Sequence, residues 1–137
     1  MSDEYIPPPL DTYMSSELRA TFSLDVTKSN WNVNVPSISL TDDVSSNVAY
    51  SATWVIGTSY ETLSIGDVSA SSQSYLYLRN LDATNYVQIA VDDAGTATPF
   101  CRLTAGAFAF FKSDLSCTFK GKANTAPCNV QVLLLSL

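Results

Sequence analysis

Leu18, Ala20, Phe22, Leu24 and Val26 alternate with Arg19, Thr21, Ser23, Asp25 and Thr27 along the chain. That period of two marks a half-buried strand with one polar face, because successive side chains leave a strand on opposite sides. Trp31, Val33 and Val35 repeat the pattern in a second strand. At Pro36 the phase flips, and Ile38 and Leu40 take over the apolar positions. A one-residue change of phase beside a proline predicts a bulge or an edge strand. A polar turn over residues 42–47 leads to a third strand, in which Val48, Tyr50, Ala52, Trp54 and Ile56 alternate as far as Gly57. Residues 60–68 carry a weaker version, with Leu63 and Ile65 inward, and the Ser-rich residues 69–74 read as a loop.

The C-terminal third is the clearest part of the pattern. Residues 74–81 and 86–92 read as two strands joined by Asp82-Ala-Thr-Asn85, the spacing of a hairpin. Residues 92–99 read as a longer loop. Residues 100–103 and 107–112 flank Thr104-Ala-Gly106, a second hairpin with Gly where positive φ costs least. One more strand covers 116–121. The last, Asn129-Val-Gln-Val-Leu-Leu-Leu-Ser-Leu137, is expected to be a core piece of the sheet. About nine or ten short strands, with no window of helical periodicity, predict an all-β chain. The expected architecture is a single antiparallel β-sandwich, jelly-roll-like, over residues 17–137, behind an extended N-terminal arm over 1–16.

Three strands look apolar on both faces. Tyr75 and Tyr77 oppose Leu76 and Leu78, Phe108 and Phe110 sit beside Phe111, and Leu133 and Leu135 oppose Val132 and Leu134. Internal packing, an oligomer interface and a ligand platform each explain such strands. The arm adds to the second of these. Tyr5, Ile6, Pro7, Pro8, Pro9 and Leu10 favour an extended polyproline conformation. A solvated terminus is one reading of this stretch and an arm along a neighbouring subunit the other, which the large apolar groups, Tyr13 and Met14 included, favour. The expected partner-binding residues are Tyr5, Ile6, Pro7, Pro8, Pro9, Leu10, Tyr13, Tyr75 and Tyr77. Were a sugar bound instead, Tyr75, Tyr77, Trp31 or Trp54 would be its stacking platforms.

Composition narrows the chemistry. The chain has no histidine, which removes histidine-based triads and the common zinc sites. Cys101, Cys117 and Cys128 form no C-x-x-C pair and lack a histidine partner, so reduced, buried thiols are expected, with a Cys117–Cys128 disulfide the alternative. Asp42-Asp43 and Asp92-Asp93 lie in expected turns, where neighbouring carboxylates point apart instead of facing across a cleft. No metal, no cofactor and no enzymatic activity are expected. Seven Lys and Arg against thirteen Asp and Glu argue against nucleic acid and against an anionic membrane as partners. The expectation is a soluble protein made in a reducing compartment.

The run Tyr75-Leu-Tyr-Leu-Arg-Asn-Leu-Asp-Ala-Thr-Asn-Tyr-Val-Gln-Ile-Ala-Val91 resembles one in small structural proteins of tailed bacteriophages. Arg102-Leu-Thr-Ala-Gly-Ala-Phe-Ala-Phe-Phe111 and Ala123-Asn-Thr-Ala-Pro-Cys-Asn-Val-Gln-Val-Leu-Leu135 are similar to further parts of such proteins. The resemblance covers the C-terminal 60 or so residues and implies a β-sandwich virion component of the head decoration (cement) type. It implies no catalytic residues. The expected function is non-enzymatic: a capsid decoration protein that bridges and stabilises neighbouring capsid subunits. The alternative is a tail, neck or receptor-binding part with a carbohydrate-binding sandwich. The expected partners are further copies of the chain, as a homotrimer, and the major capsid protein. The expected place is the capsid exterior, after synthesis in the host cytoplasm.

Overall fold

The structure is a computed structural model, and it describes residues 18–44, 49–69, 73–114 and 116–137. The arm over 1–16, with Tyr5 to Leu10 and Tyr13, lies outside the described residues. The chain divides into two units, Met1–Val44 and Ser45–Leu137. The sandwich therefore starts after Val44, and not at residue 17 as the unbroken alternation suggested.

The first unit holds a two-stranded antiparallel ribbon of β1 (Leu18–Lys28) and β2 (Trp31–Asp42). Ser29 turns the chain with a positive φ of 32°. Directly opposed residues of an antiparallel pair share a face. The register sets Ala20 against Leu40, Phe22 against Ile38, Leu24 against Val35 and Val26 against Val33. One face is thus apolar along its length. Arg19 with Thr41, Thr21 with Ser39 and Asp25 with Asn34 occupy the other, where Asn34 Nδ2 donates to the Asp25 carboxylate. The register slips between Phe22 and Leu24 on one side and Ile38 and Val35 on the other. The extra residue falls at Pro36–Ser37, so the phase flip is a bulge at the proline.

The second unit is a pair of four-stranded antiparallel sheets. Its strands are β3 (Ala49–Ile56), β4 (Glu61–Thr62), β5 (Gln73–Asn80), β6 (Val87–Asp93), β7 (Thr96–Leu103), β8 (Phe108–Asp114), β9 (Phe119–Ala123) and β10 (Cys128–Ser136). The sheet orders are β3-β10-β5-β8 and β4-β9-β6-β7. Strand β3 pairs with β10, β4 with β9, β5 with β8 and β6 with β7. The unit is one long hairpin rolled up so that its successive pairs alternate between two sheets, which is the jelly roll.

Four expectations fail against this topology. Residues 92–99 are no long loop: Ala94 and Gly95, with φ of 49° and 88°, make a two-residue turn between β6 and β7. Two positive φ values give the turn whose twist matches the flanking strands. Pro99 is tolerated because β7 is an edge strand with a bulge at Phe100. Residues 74–81 and 86–92 are not a hairpin, and neither are 100–103 and 107–112. Each short connection instead carries the chain from one sheet to the other, and the true partners come from the far arm of the rolled hairpin. Of residues 60–68, only Glu61 and Thr62 pair as strand.

The core lies between the two sheets. Leu76 and Leu78 of β5 and Val130, Val132 and Leu134 of β10 face Val87 and Ile89 of β6, with Ile56, Leu103, Phe119 and Cys128 around them. Burying each large aliphatic side chain contributes about 1.5–3 kcal/mol. Gly121 sits close under the core: a Cβ there would stand 3.0 Å from Ile56 Cδ1 and from Leu63 Cδ2, and these side chains would have to give by a few tenths of an ångström.

Candidate functional site

The outer faces of the two sheets differ in chemistry. On the β4-β9-β6-β7 sheet, Gln88 of β6 stands between Lys122 and Arg102. Each cation there is engaged: Arg102 lies 4.3 Å over the Tyr86 ring, Lys122 5.6 Å over Tyr60, and Lys120 pairs with Asp92 at 3.4 Å. The Tyr60 hydroxyl donates to Gln88 Oε1 at 3.3 Å. This surface is mainly polar and its cations are engaged, although Asp92 Oδ1 has no hydrogen-bond partner among the described residues and Phe100 of β7 is exposed.

The β3-β10-β5-β8 sheet presents the opposite. Its outward rows are Ser51–Leu133–Tyr77–Phe110 and Thr53–Gln131–Arg79–Phe108. Val55, Phe108, Phe110 and Leu133 are exposed, Val55 by 68% and Phe108 by 62%. Tyr77 packs against Phe108 with ring centroids 6.3 Å apart. A shallow groove of about 410 Å³ runs between Tyr77, Arg79, Gly106 and Phe108. Contiguous exposed aromatic and aliphatic groups of this kind mark contact surfaces.

Of the residues expected from the sequence, Tyr77 therefore lies on this surface and Tyr75 lies beside it without being open to solvent. Tyr75 is only 4% exposed and stacks flat on Phe110 at 5.6 Å, with Lys112 over its ring. It props Phe110 rather than offering a platform. Trp54 fails as a sugar platform too: it is buried and donates from Nε1 to the carbonyl of Ser64 at 3.1 Å. Trp31 is exposed, in the other unit. Val55 escaped the sequence reading, and Phe108 was noted on a two-sided apolar strand but not among the partner-binding residues, because one strand seen alone does not show which of its faces points outward.

Among the described residues no reactive groups gather elsewhere. The three cysteines are free thiols, Cys117 exposed, Cys101 half-buried and Cys128 buried, so burial is not the common state expected for them. Burial pushes the Cys101 thiol up, and burial reinforced by the negative charge of Asp82 does the same to Cys128. Neither is poised as a nucleophile. Among the described residues no three His, Cys, Asp or Glu side chains cluster as metal ligands, and no helix is long and apolar enough to cross a membrane.

The sequence also gave no hint of a polar network at one end of the sandwich. Asn80 is fully buried, and its Nδ2 donates to the carbonyls of Asn85, Leu103 and Thr104 at 2.8, 3.0 and 3.3 Å. Its Oδ1 accepts from the Asp82 amide at 3.0 Å. Asp82 in turn accepts the amides of Thr84 and Asn85, which hold its carboxyl below the usual range. Asn124 Oδ1 accepts the Tyr86 amide at 3.1 Å, tying a second loop to the first. Every member bonds to backbone, so the network shapes loops and presents no reactive group. Comparison with protein-family models, curated proteins and solved structures finds no match to this chain.

Proposed function

We propose that this chain is a non-enzymatic structural protein of a virion, a capsid decoration (cement) protein of tailed-bacteriophage type on the capsid exterior. It works by contact: apolar surface on one sheet, together with the N-terminal arm, bridges neighbouring capsid subunits and is buried at their junctions. The observation that carries the reading is the outward sheet face that exposes Val55, Leu133, Phe110 and Phe108 around Tyr77 on an otherwise acidic protein. The jelly roll adds support at the level of fold analogy, being an architecture of viral capsid and lectin domains. So does the resemblance of residues 75–91, 102–111 and 123–135 to phage virion proteins.

The test is co-sedimentation of the purified protein with capsids stripped of decoration, followed by imaging of the particles. Binding at symmetry-related positions is expected. Phe108→Ser with Val55→Ser should weaken attachment, and so should removal of residues 1–16, both with the sandwich still folded. Absence of affinity for any capsid would sink the reading.

One feature favours a second reading, a tail, neck or receptor-binding part that holds carbohydrate. The groove between Tyr77, Phe108 and Arg79 sets an aromatic pair beside a guanidinium, which suits a sugar ring stacked and hydrogen-bonded at its rim. Glycan-array binding that disappears in Tyr77→Ala would select this reading over the first.

A further inference from the structure

A lone two-stranded ribbon is marginal in water, because it has a single layer and nothing to bury its apolar side against. Strands β1 and β2 run for 11 and 12 residues and gather their apolar side chains on one face. That face is open: Phe22, Leu24, Val33 and Ile38 are 49%, 42%, 44% and 58% exposed. We propose that it is a self-association surface, covered by the same face of the β1–β2 ribbon of a second copy, with the two ribbons antiparallel about a two-fold axis.

Charge selects a copy of the chain and fixes the direction. The whole chain carries a net charge of −6, so most of its surfaces repel their own copies. The ribbon is neutral, with Arg19 and Lys28 offsetting Asp25 and Asp42. Its apolar face is also polarised end to end. Lys28, opposite Trp31, closes one end, and Asp42, opposite Leu18, closes the other. Antiparallel stacking brings each Lys28 end over an Asp42 end. Parallel stacking, or three ribbons around a three-fold axis, would gather like charges at both ends. The pairing is therefore two-fold in place of the trimer expected from the sequence. One face offers on the order of 500 Å² of apolar surface, so a pair removes about 1,000 Å² from water, the lower bound of a biological interface.

The proposal rests on the assembly reading for its expectation that copies meet, but not on a capsid. Light scattering coupled to size exclusion, on the full chain, is expected to give a dimer. Phe22→Asp and Ile38→Asp should each yield monomer, with the near-ultraviolet circular dichroism of the sandwich kept. Lys28→Glu alone and Asp42→Lys alone should each weaken the dimer at least tenfold, and the double exchange should restore it. A wild-type monomer or trimer, a dimer indifferent to Phe22→Asp and Ile38→Asp, or a double exchange that fails to rescue overturns the assignment. Capsid co-sedimentation of the Ile38→Asp variant is scored separately. Attachment by a monomer leaves the cement reading standing, whereas a dimer without capsid affinity removes that reading and leaves this one.

Discussion

Asn80 shows what one residue contributes to this fold. Two sheets joined by short crossings leave backbone carbonyls turned inward at the end of the sandwich, and a buried carbonyl without a donor costs about 1–3 kcal/mol. The Asn80 amide serves the carbonyls of Asn85, Leu103 and Thr104 from a fully buried position. Asn80→Ala should therefore destabilise the sandwich by about 2–4 kcal/mol. Asn80→Asp should be no milder at neutral pH, because it aims a carboxylate at the same carbonyls. Chemical denaturation of both variants checks this, and a loss below about 1 kcal/mol would mean that water replaces the amide. The sequence could not disclose the role. An Asn before a turn reads as turn chemistry, and only the meeting of residues 80, 85, 103 and 104 makes it a clamp.

At the scale of elements, the turn at Ala94–Gly95 is the tip from which the whole hairpin is rolled. Both residues have positive φ, a conformation that suits Gly and costs Ala about 1 kcal/mol. Ala94→Asn, which restores the Asn-Gly dipeptide that this turn favours, should raise stability by about 0.5–1 kcal/mol and shift the thermal midpoint upward. The loop from Asp82 to Tyr86 supplies a pH-dependent counterpart. The amides of Asn85 and then Thr84 lower the Asp82 carboxyl from its ordinary 3.8 in the fold. A lowered folded value means stability that is present above pH 3.8 and lost as the pH falls through that folded value. Asp82→Asn should be less stable than the parent at pH 6, and the gap should narrow in urea titrations below pH 3.8. These elements also mark how far the sequence could be read. Strand existence, the bulge at Pro36 and the strand character of residues 128–136 followed from period-two alternation. Pairing did not, because a short loop serves a hairpin and a crossing between sheets equally well. The tip itself was hidden behind an Ala where Asn or Gly would have announced it.

For the molecule as a whole, the division at Val44 separates two kinds of stability. The core cluster and the groups packed on it draw only on residues from Tyr50 to Leu134, so the jelly roll is complete without β1 and β2. The ribbon has a sorted apolar face and no core. Its exposed apolar side chains and those of the outward sheet surface around Phe108 are what the proposed contacts would bury. This is why the candidate site was only partly legible: the two-sided apolar strands left internal packing, an oligomer interface and a ligand platform open, while the difference between buried Tyr75 and Tyr77 exists only in the folded sheet, where Tyr75 stacks on Phe110. A chain cut to residues 45–137 should fold alone, with one cooperative transition within a few degrees of the sandwich transition in the full chain. A 93-residue domain (137 − 44) is large enough for a core of its own. The shortened chain should show dispersed methyl resonances, because Leu76, Leu78, Val130 and Val132 keep their packing, and it should lose whatever self-association the full chain has. A shortened chain that binds hydrophobic dyes and melts without cooperativity would show that the ribbon supplies part of the fold, and the contact role of β1 and β2 would then yield to a structural one.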